Sequence, residues 1–196
     1  MVTKSTAAIE LPPLNIQTVT FVLVGDSPLI VHAWSEKAKR QMLDKQMKKA
    51  TKAREAKDPE ADYEACFYKT EAGAYGFPAI GVKAAMVSAC RFVDAKMTVM
   101  RGAFHIDCEM LEVIGEPRPR EDMVRVGMGT ADIRYRPEFV DWRIPVTIKF
   151  NASVISAEQI ANLLNAAGFG VGIGEWRPEK NGSYGRFHVA TSEESE

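Results

Sequence analysis

The chain has 196 residues, of which 46% are hydrophobic and 26% charged, and its formal net charge is −1. This is the composition of a globular protein, and the sequence contains no run of about 18 apolar residues that could span a membrane. Cys66, Cys90 and Cys108 form no CxxC pair, and the first ten residues lack the apolar core of a secretory signal. We therefore expect a cytoplasmic chain with no cofactor, disulfide framework or metal site.

The first predicted strand, residues 16–24, is rich in β-branched residues and follows a flexible tail, residues 1–13. A basic segment then begins at Ser35, which can cap a helix reaching about residue 57. It holds nine basic residues against three acidic ones, a local charge of +6, and its apolar positions make a poor core face. Such a helix is either a solvated surface element or a contact for a polyanion. The candidate contacts are Lys37, Arg40, Lys45, Lys48, Lys49 and Lys52.

A second helix is predicted over residues 81–94, after an irregular stretch, residues 58–76. Its apolar residues repeat at helical spacing and predict packing on a core. Lys83 lies in its first turn, where a cation is unfavourable for the helix dipole, which indicates an anion nearby.

Two half-buried strands are predicted at residues 104–114 and 144–151, because apolar and polar residues alternate there. The stretch between them, residues 115–143, is a predicted hairpin that contains six arginines and no lysine. Arginine suits bidentate phosphate contacts and base stacking. The alternative is a surface ribbon in which these arginines pair with neighbouring acids. The candidate contacts are Arg118, Arg120, Arg134 and Arg136.

A third helix is predicted over residues 156–167, with Ser156 and Gln159 forming a capping box and Gly168 at the C′ position. Six glycines follow within residues 168–185, and a strand is predicted at residues 184–190. Here a helix precedes the glycines and a strand follows them. The P-loop and dinucleotide-binding motifs need a strand before the glycines and a helix after them, so both motifs are excluded. Glycine backbone with aromatic and basic side chains suits a phosphate–ribose chain, although a glycine-rich hairpin without a ligand is the alternative. The candidate contacts are Gly170, Gly172, Gly174, Trp176, Arg177, Lys180, Tyr184 and Arg186.

In chain order these elements read βαββαβ, the plan of an α+β ferredoxin-like (RRM-like) fold. We expect one domain, residues 1–196, with a basic helical insertion at residues 35–76. A thumb-like, arginine-bearing hairpin is expected at residues 115–143 between the second and third core strands, and a flexible tail at residues 191–196.

The sequence resembles the RAMP superfamily, the RNA-binding proteins of CRISPR systems, in three places. Residues 24–30, VGDSPLI, look like the end of the family's first strand, and residues 77–85, FPAIGVKAA, look like the entry to its first helix. Residues 170–174 and 182–187 look like its C-terminal glycine-rich loop. The short length favours a compact relative of phage or mobile-element type.

This resemblance implies a protein that holds single-stranded nucleic acid, RNA more often than DNA, along the face of the sheet. The glycine-rich loop and the hairpin thumb would grip the strand. It also implies assembly along that strand, as a homo-oligomer or as a subunit of a nucleoprotein.

Two other functions stay open. A metal-independent endoribonuclease of the crRNA-processing type needs a histidine near the reacting hydroxyl. His32, which follows the first strand, is the best candidate, with Lys37 or Tyr184 as charge stabilisers; binding without cleavage is favoured over this. The third function is a non-catalytic protein-interaction or assembly module.

Overall fold

A four-stranded antiparallel sheet lies at the centre of the fold. The computed structural model describes residues 13–49, 57–127 and 129–194. Across the sheet, from one edge to the other, the strands are β10 (Phe187–Val189), β1 (Ile16–Gly25), β9 (Arg143–Asn151) and β5 (Phe104–His105). The α+β class with antiparallel sheets is confirmed, and this sheet is consistent with a ferredoxin-like arrangement.

One face of this sheet carries the core. Ile144, Val146, Ile148 and Phe150 alternate along β9 and are at most 3% exposed, as the sequence pattern predicts. They pack with two helices, α3 (Ala79–Ala89) and α5 (Ala157–Gly170).

The opposite face of the sheet is open. Thr18, Thr20, Thr147 and Lys149 lie exposed on it, with the Thr20 and Thr147 hydroxyls 2.9 Å apart. The outward positions described along β1 and β9 hold no aromatic ring. On the two edge strands, His188 lies opposite Val24 and His105 opposite Lys149, so the rings on this face are at its edges.

The helices differ from their predicted bounds. α3 begins at Ala79 and ends at Ala89, and a separate helix, α4 (Met97–Ala103), follows it. The Ser156–Gln159 capping box is confirmed, but α5 continues to Gly170, so Gly168 is not its C′ residue. A Cβ at Gly168 would lie 1.8 Å from the Phe187 carbonyl oxygen, so this glycine allows helix and strand to pack closely.

The predicted strand over residues 104–114 is two strands in different sheets. β5 pairs with β9, whereas β6 (Met110–Glu112) pairs with β4 (Tyr75–Pro78), which also pairs with β3 (Tyr68–Lys69). The stretch expected to be irregular also contains a helix, α2 (Pro59–Glu64), capped by the Asp58 side chain. The alternation predicts an inward face of Phe104, Ile106, Cys108 and Met110, and this is correct only at the start of the range. Cys108 is exposed, whereas Leu111 and Val113 are buried. The inward face changes because the chain leaves the central sheet after β5 and joins another sheet at β6.

A long hairpin is formed by β7 (Pro117–Val126) and β8 (Thr130–Phe139), within the range that the sequence predicts. A short strand, β2 (Leu29–Ile30), pairs with the base of β8 at Phe139 and Glu138. The hairpin is thus connected to the segment that follows β1.

The basic helix, α1, covers Glu36–Gln46 and is capped by Ser35, as predicted. It ends well before residue 57, and none of its residues is buried, which agrees with the poor core face predicted for it. Lys52 lies outside the described residues. No helix in the described part of the chain is long and apolar enough to cross a membrane.

Candidate nucleic-acid interface

One face of the hairpin collects all four of its candidate arginines. Cross-strand partners share a face, and the register pairs Arg118 with Glu138, Arg120 with Arg136, and Asp122 with Arg134. Asp132 follows on the same face. Four arginines therefore oppose three carboxylates there, which leaves the face with a formal charge of +1.

Most of these charges are paired with one another. Glu138 accepts hydrogen bonds from Arg118 at 2.7 Å and from Arg120 at 2.9 Å, and Arg120 also donates to Asp122 at 2.9 Å. Arg134 Nε lies 2.9 Å from an Asp132 oxygen. The alternative of a self-paired ribbon thus describes much of this surface.

Arg136 is the most buried of the four arginines and the least closely paired. Its residue is only 6% exposed, and its contact with Asp122 is a long one, at 3.6 Å from Nη1. Neither Nε nor Nη1 has a hydrogen-bond partner among the described residues. Arg136 also lies directly opposite Arg120, and like charges in a cross-strand pair repel each other. A buried guanidinium in this state would gain from an added anion.

Tyr184 brings the glycine-rich segment onto this face. Its ring lies over Arg120, with 4.9 Å between the guanidinium carbon and the ring centroid. Burial lowers the pKa of Arg120, but hydrogen bonds to Asp122, Glu138 and Tyr184 outweigh that and raise it. Arg120 therefore stays charged beside an aromatic ring, a pairing that sequence spacing could not reveal.

The glycines of this segment do not present their backbone to a ligand. Gly170 is helical, and a Cβ there would meet the Phe92 ring at 2.6 Å. Gly172, at φ +69°, packs against Pro178, and Gly174, at φ +76°, packs against the Ile30 carbonyl. Close packing within the protein is thus what requires glycine at these three positions.

The amide groups nearby are also occupied. The N–H groups of Gly172, Ile173, Glu175 and Gly185 donate to backbone carbonyls within the fold. These four amides are therefore not free donors for a phosphate, because the segment folds onto β2 and α5 and pairs them with backbone carbonyls.

The basic residues of the segment have different environments. Arg177 donates to Glu179 at 3.0 Å and to the Gly174 carbonyl at 3.1 Å, so it stabilises the loop and is not a free phosphate contact. Arg186 donates to the Ser183 carbonyl. Lys180 is exposed at the end of a short 3₁₀ helix, Pro178–Lys180.

Two further candidate groups lie elsewhere. Lys83 points towards β5, with its Nζ 3.2 Å from His105 Nδ1. The lysines and arginine of α1 and the turn after it are exposed: Lys37, Arg40, Lys45, Lys48 and Lys49. Of these, Lys49 pairs with Asp44 at 2.9 Å. The exposed side chains of α1 and its following turn form a second basic surface.

His32 lies between the hairpin and the glycine-rich segment. Its Nδ1 is 3.9 Å from a Glu175 oxygen, and its carbonyl accepts a hydrogen bond from Tyr68. Burial and the positive charge of Arg136 lower the pKa of His32 against the opposing effect of Glu175. The ring is therefore neutral at pH 7, and the positive charges of the hairpin residues Arg136 and Arg134 favour this neutral form.

The site contains residues that the sequence did not single out. Glu175 follows Gly174 in the glycine-rich segment, whose candidate contacts include only cations among its charged residues. An acid at this position is visible in the sequence and could have been singled out. For Asp122 and Glu138, the sequence indicates only that they are acids near the arginines in the chain. That they share one face with the four arginines follows from the hairpin register.

The fold and the hairpin face define an α+β protein with antiparallel sheets and an arginine-bearing β-hairpin. No family model and no curated protein matches the sequence. Among solved structures it is similar to Cmr6 from Pyrococcus furiosus, with 10% sequence identity and a TM-score of 0.49 over 91% of this chain and 100% of that one. A likeness this distant assigns neither family nor function, and no conclusion below rests on it.

Proposed function

We propose that this protein binds single-stranded nucleic acid, RNA in preference to DNA, on the arginine face of the hairpin. The observation that carries the proposal is the Arg120–Arg136 pair. These two cations face each other across the strands, and two nitrogens of the buried Arg136 lack an acceptor. A phosphate on this face would reduce the repulsion between the two guanidinium groups.

The surroundings favour a strand over a lone anion. Tyr184 lies beside the arginine pair, and Trp34 and Trp176 are 56% and 41% exposed, which provides rings for base stacking. Residues 36–49 hold six basic and two acidic side chains, a charge of +4, and none of the α1 residues is buried. A polyanion could thus follow basic groups on both the hairpin and α1.

We further propose that the chain is a compact, RAMP-like relative with a ferredoxin-like core and the hairpin as its thumb. The strand order of the central sheet, the two helices on one of its faces and the hairpin before β9 support this. Assembly of several copies along one strand belongs to the same proposal.

The test is binding of fluorescently labelled 20-nucleotide RNA and DNA of the same mixed sequence across a salt series. We expect the logarithm of the affinity to fall linearly with the logarithm of salt, by about 0.7 for each phosphate contacted. Arg118→Gln, on the arginine face and with a 62% exposed side chain, should weaken binding and reduce that slope.

Arg125→Gln is the matched control, since it removes the same charge from the same hairpin on the opposite face. Equal effects of the two variants would show that general charge, and not this face, governs binding. Absence of binding to any strand would reject the proposal and favour a protein-interaction module.

A second candidate function is metal-independent cleavage of RNA. It is favoured by one observation: His32 has a lowered pKa, so it is neutral at pH 7 and able to accept a proton, and the charge of Arg136 reaches it. Incubation of the wild type with labelled RNA in EDTA should then give products that His32→Ala abolishes. Intact RNA after prolonged incubation would exclude this function.

A further inference from the structure

A cleft lies beside the glycine-rich segment, separate from the arginine face. It has a volume of about 270 Å³, and Gly81, Ala84 and Ser88 of α3 form one wall while Gly172 and Gly174 form the other. Small residues on both sides leave an opening whose size is just below the range of about 300–1,000 Å³ typical of ligand pockets. The space suits a flat group such as one base.

The charged side chains that line the cleft disfavour phosphate. Arg177 is neutralised by Glu179 at 3.0 Å, and His32 is neutral at pH 7, so Glu175 leaves the lining with a charge of −1. No hydrogen bond among the described residues involves a carboxylate oxygen of Glu175, whose side chain is 42% exposed. Its carboxylate oxygens can therefore accept hydrogen bonds from N–H groups of a molecule in the cleft.

Trp176 follows this acid directly in the chain. It has φ +53°, a left-handed conformation that is strained for a bulky residue, and it is 41% exposed. The fold enforces this conformation, because Tyr184 N–H donates to the Trp176 carbonyl and the close approach of Gly182 leaves no room for a Cβ there. Strain that the structure maintains is concentrated at functional sites.

We propose that the cleft binds one guanine base of the bound strand, with Glu175 accepting hydrogen bonds from its Watson–Crick edge. Guanine presents two adjacent donors there, N1–H and the N2 amino group, which match the two oxygens of a carboxylate. Adenine and cytosine present one amino donor beside a ring nitrogen whose lone pair the carboxylate repels. This inference rests on the proposed function, in which the phosphates lie on the arginine face and a base turns away from it.

The test compares 12-nucleotide RNA strands of uridine that carry one central guanosine, adenosine, cytidine or inosine. We expect the guanosine strand to bind about ten-fold more tightly than the adenosine and cytidine strands, which corresponds to one bidentate contact. Inosine, which keeps N1–H and lacks the amino group, should give an intermediate affinity. These comparisons use the wild-type protein and need no variant.

Glu175→Gln then assigns the preference to this acid. The ratio of guanosine to adenosine affinities should fall below about two-fold, since the amide replaces one acceptor oxygen by an NH2 group that would face a donor of the guanine edge. Glu158→Gln, which changes an exposed acid in the first turn of α5, should leave that ratio unchanged.

Equal binding of all four strands with a normal salt dependence would overturn the guanine inference and leave the proposed function standing. No binding to any strand would overturn both. A preference for guanosine that survives Glu175→Gln would overturn the role of this acid and place the specificity elsewhere. If Glu175→Gln abolished self-association and left the ratio of guanosine to adenosine affinities unchanged, the cleft would bind a protein side chain and not a base.

Discussion

The guanidinium of Arg120 lies over the ring of Tyr184, so residues 64 positions apart in the sequence form one cationic and aromatic surface. The contact connects the hairpin to the segment before β10. Either residue alone would be an ordinary surface group, and together they can contact both a phosphate and a base.

Tyr184→Ala should therefore weaken RNA binding by about 1–2 kcal/mol, or roughly 5- to 30-fold, because it removes a stacking ring. Tyr184→Phe keeps the ring over Arg120 and should remain within about two-fold of wild type. Fluorescence anisotropy at fixed salt measures both. An equal loss in the two variants would assign the effect to the hydroxyl and not to stacking.

Arg136→Met separates binding from stability. It replaces a buried guanidinium, two of whose nitrogens lack acceptors, by an apolar chain of similar length. We expect the free energy of unfolding to stay unchanged or rise by about 1 kcal/mol while RNA affinity falls. Urea unfolding and RNA titration of the same sample test this, and a loss of more than about 2 kcal/mol of stability would make Arg136 a structural residue.

His188 provides a test by pH. Its Nδ1 lies 2.6 Å from Asp26 and its Nε2 3.3 Å from Glu194, and these hydrogen bonds outweigh the effect of burial and raise its pKa above 6.5. A histidine whose pKa is raised in the folded state stabilises the protein when it is protonated. This stabilisation is complete below pH 6.5, the pKa in the unfolded chain, and it is lost as the pH rises through the folded-state pKa. The stability difference between wild type and His188→Gln should thus be larger near pH 5.5 than near pH 8.5 in urea unfolding, whereas an increase with pH would contradict the ion pair.

His32 should titrate in the opposite direction. Its folded-state pKa lies below 6.5, the value in the unfolded chain, so protonation favours the unfolded chain. The free energy of unfolding therefore decreases as the pH falls below 6.5. Glu175→Gln should lower the pKa of His32 further, because the negative charge of Glu175 raises it. The C2 proton of His32, followed by NMR in a protein whose His105 and His188 are replaced by Asn, gives the measurement, with Glu158→Gln as the control that leaves the pKa unchanged.

Two helical glycines predict opposite effects of one substitution. Gly168→Ala places a Cβ 1.8 Å from the Phe187 carbonyl and should cost at least about 2 kcal/mol of stability. Gly102→Ala, in α4 with open space around it, should add about 0.5–1 kcal/mol through helix propensity. Thermal unfolding compares them, and similar changes in Tm would mean that α5 and β10 separate at little cost.

The sequence predicts the elements whose pattern is local. The β-branched run of β1, the alternation in β9 and the capping box of α5 are all local signals, and all three elements are present. The strand over residues 104–114 shows the limit. Phe104 pairs with Phe150 and Leu111 with Phe77. Both are buried although they are seven positions apart, and one unbroken strand would place them on opposite faces. A local pattern does not show where the chain leaves one sheet for another.

The candidate site was predictable in composition and not in geometry. Arginine enrichment in the hairpin was visible, but the opposition of Arg120 and Arg136 depends on the register in which β7 and β8 pair. The sequence left two interpretations of the glycine-rich segment open, because glycine serves equally for approach to a ligand and for approach to the protein's own backbone. Only the positions of the neighbours, such as Ile30 beside Gly174, distinguish the two uses.

The crowding around Gly182 limits how far the sequence can diverge. A methyl group there would stand 1.6 Å from the Trp176 carbonyl oxygen, so any homologue that keeps this loop must keep glycine at that position. Homologues too remote to align over their full length could therefore be found by a glycine six residues after a tryptophan, with a second glycine three residues later. Those that retain an acid just before the tryptophan would be the ones to assay for a preference among bases.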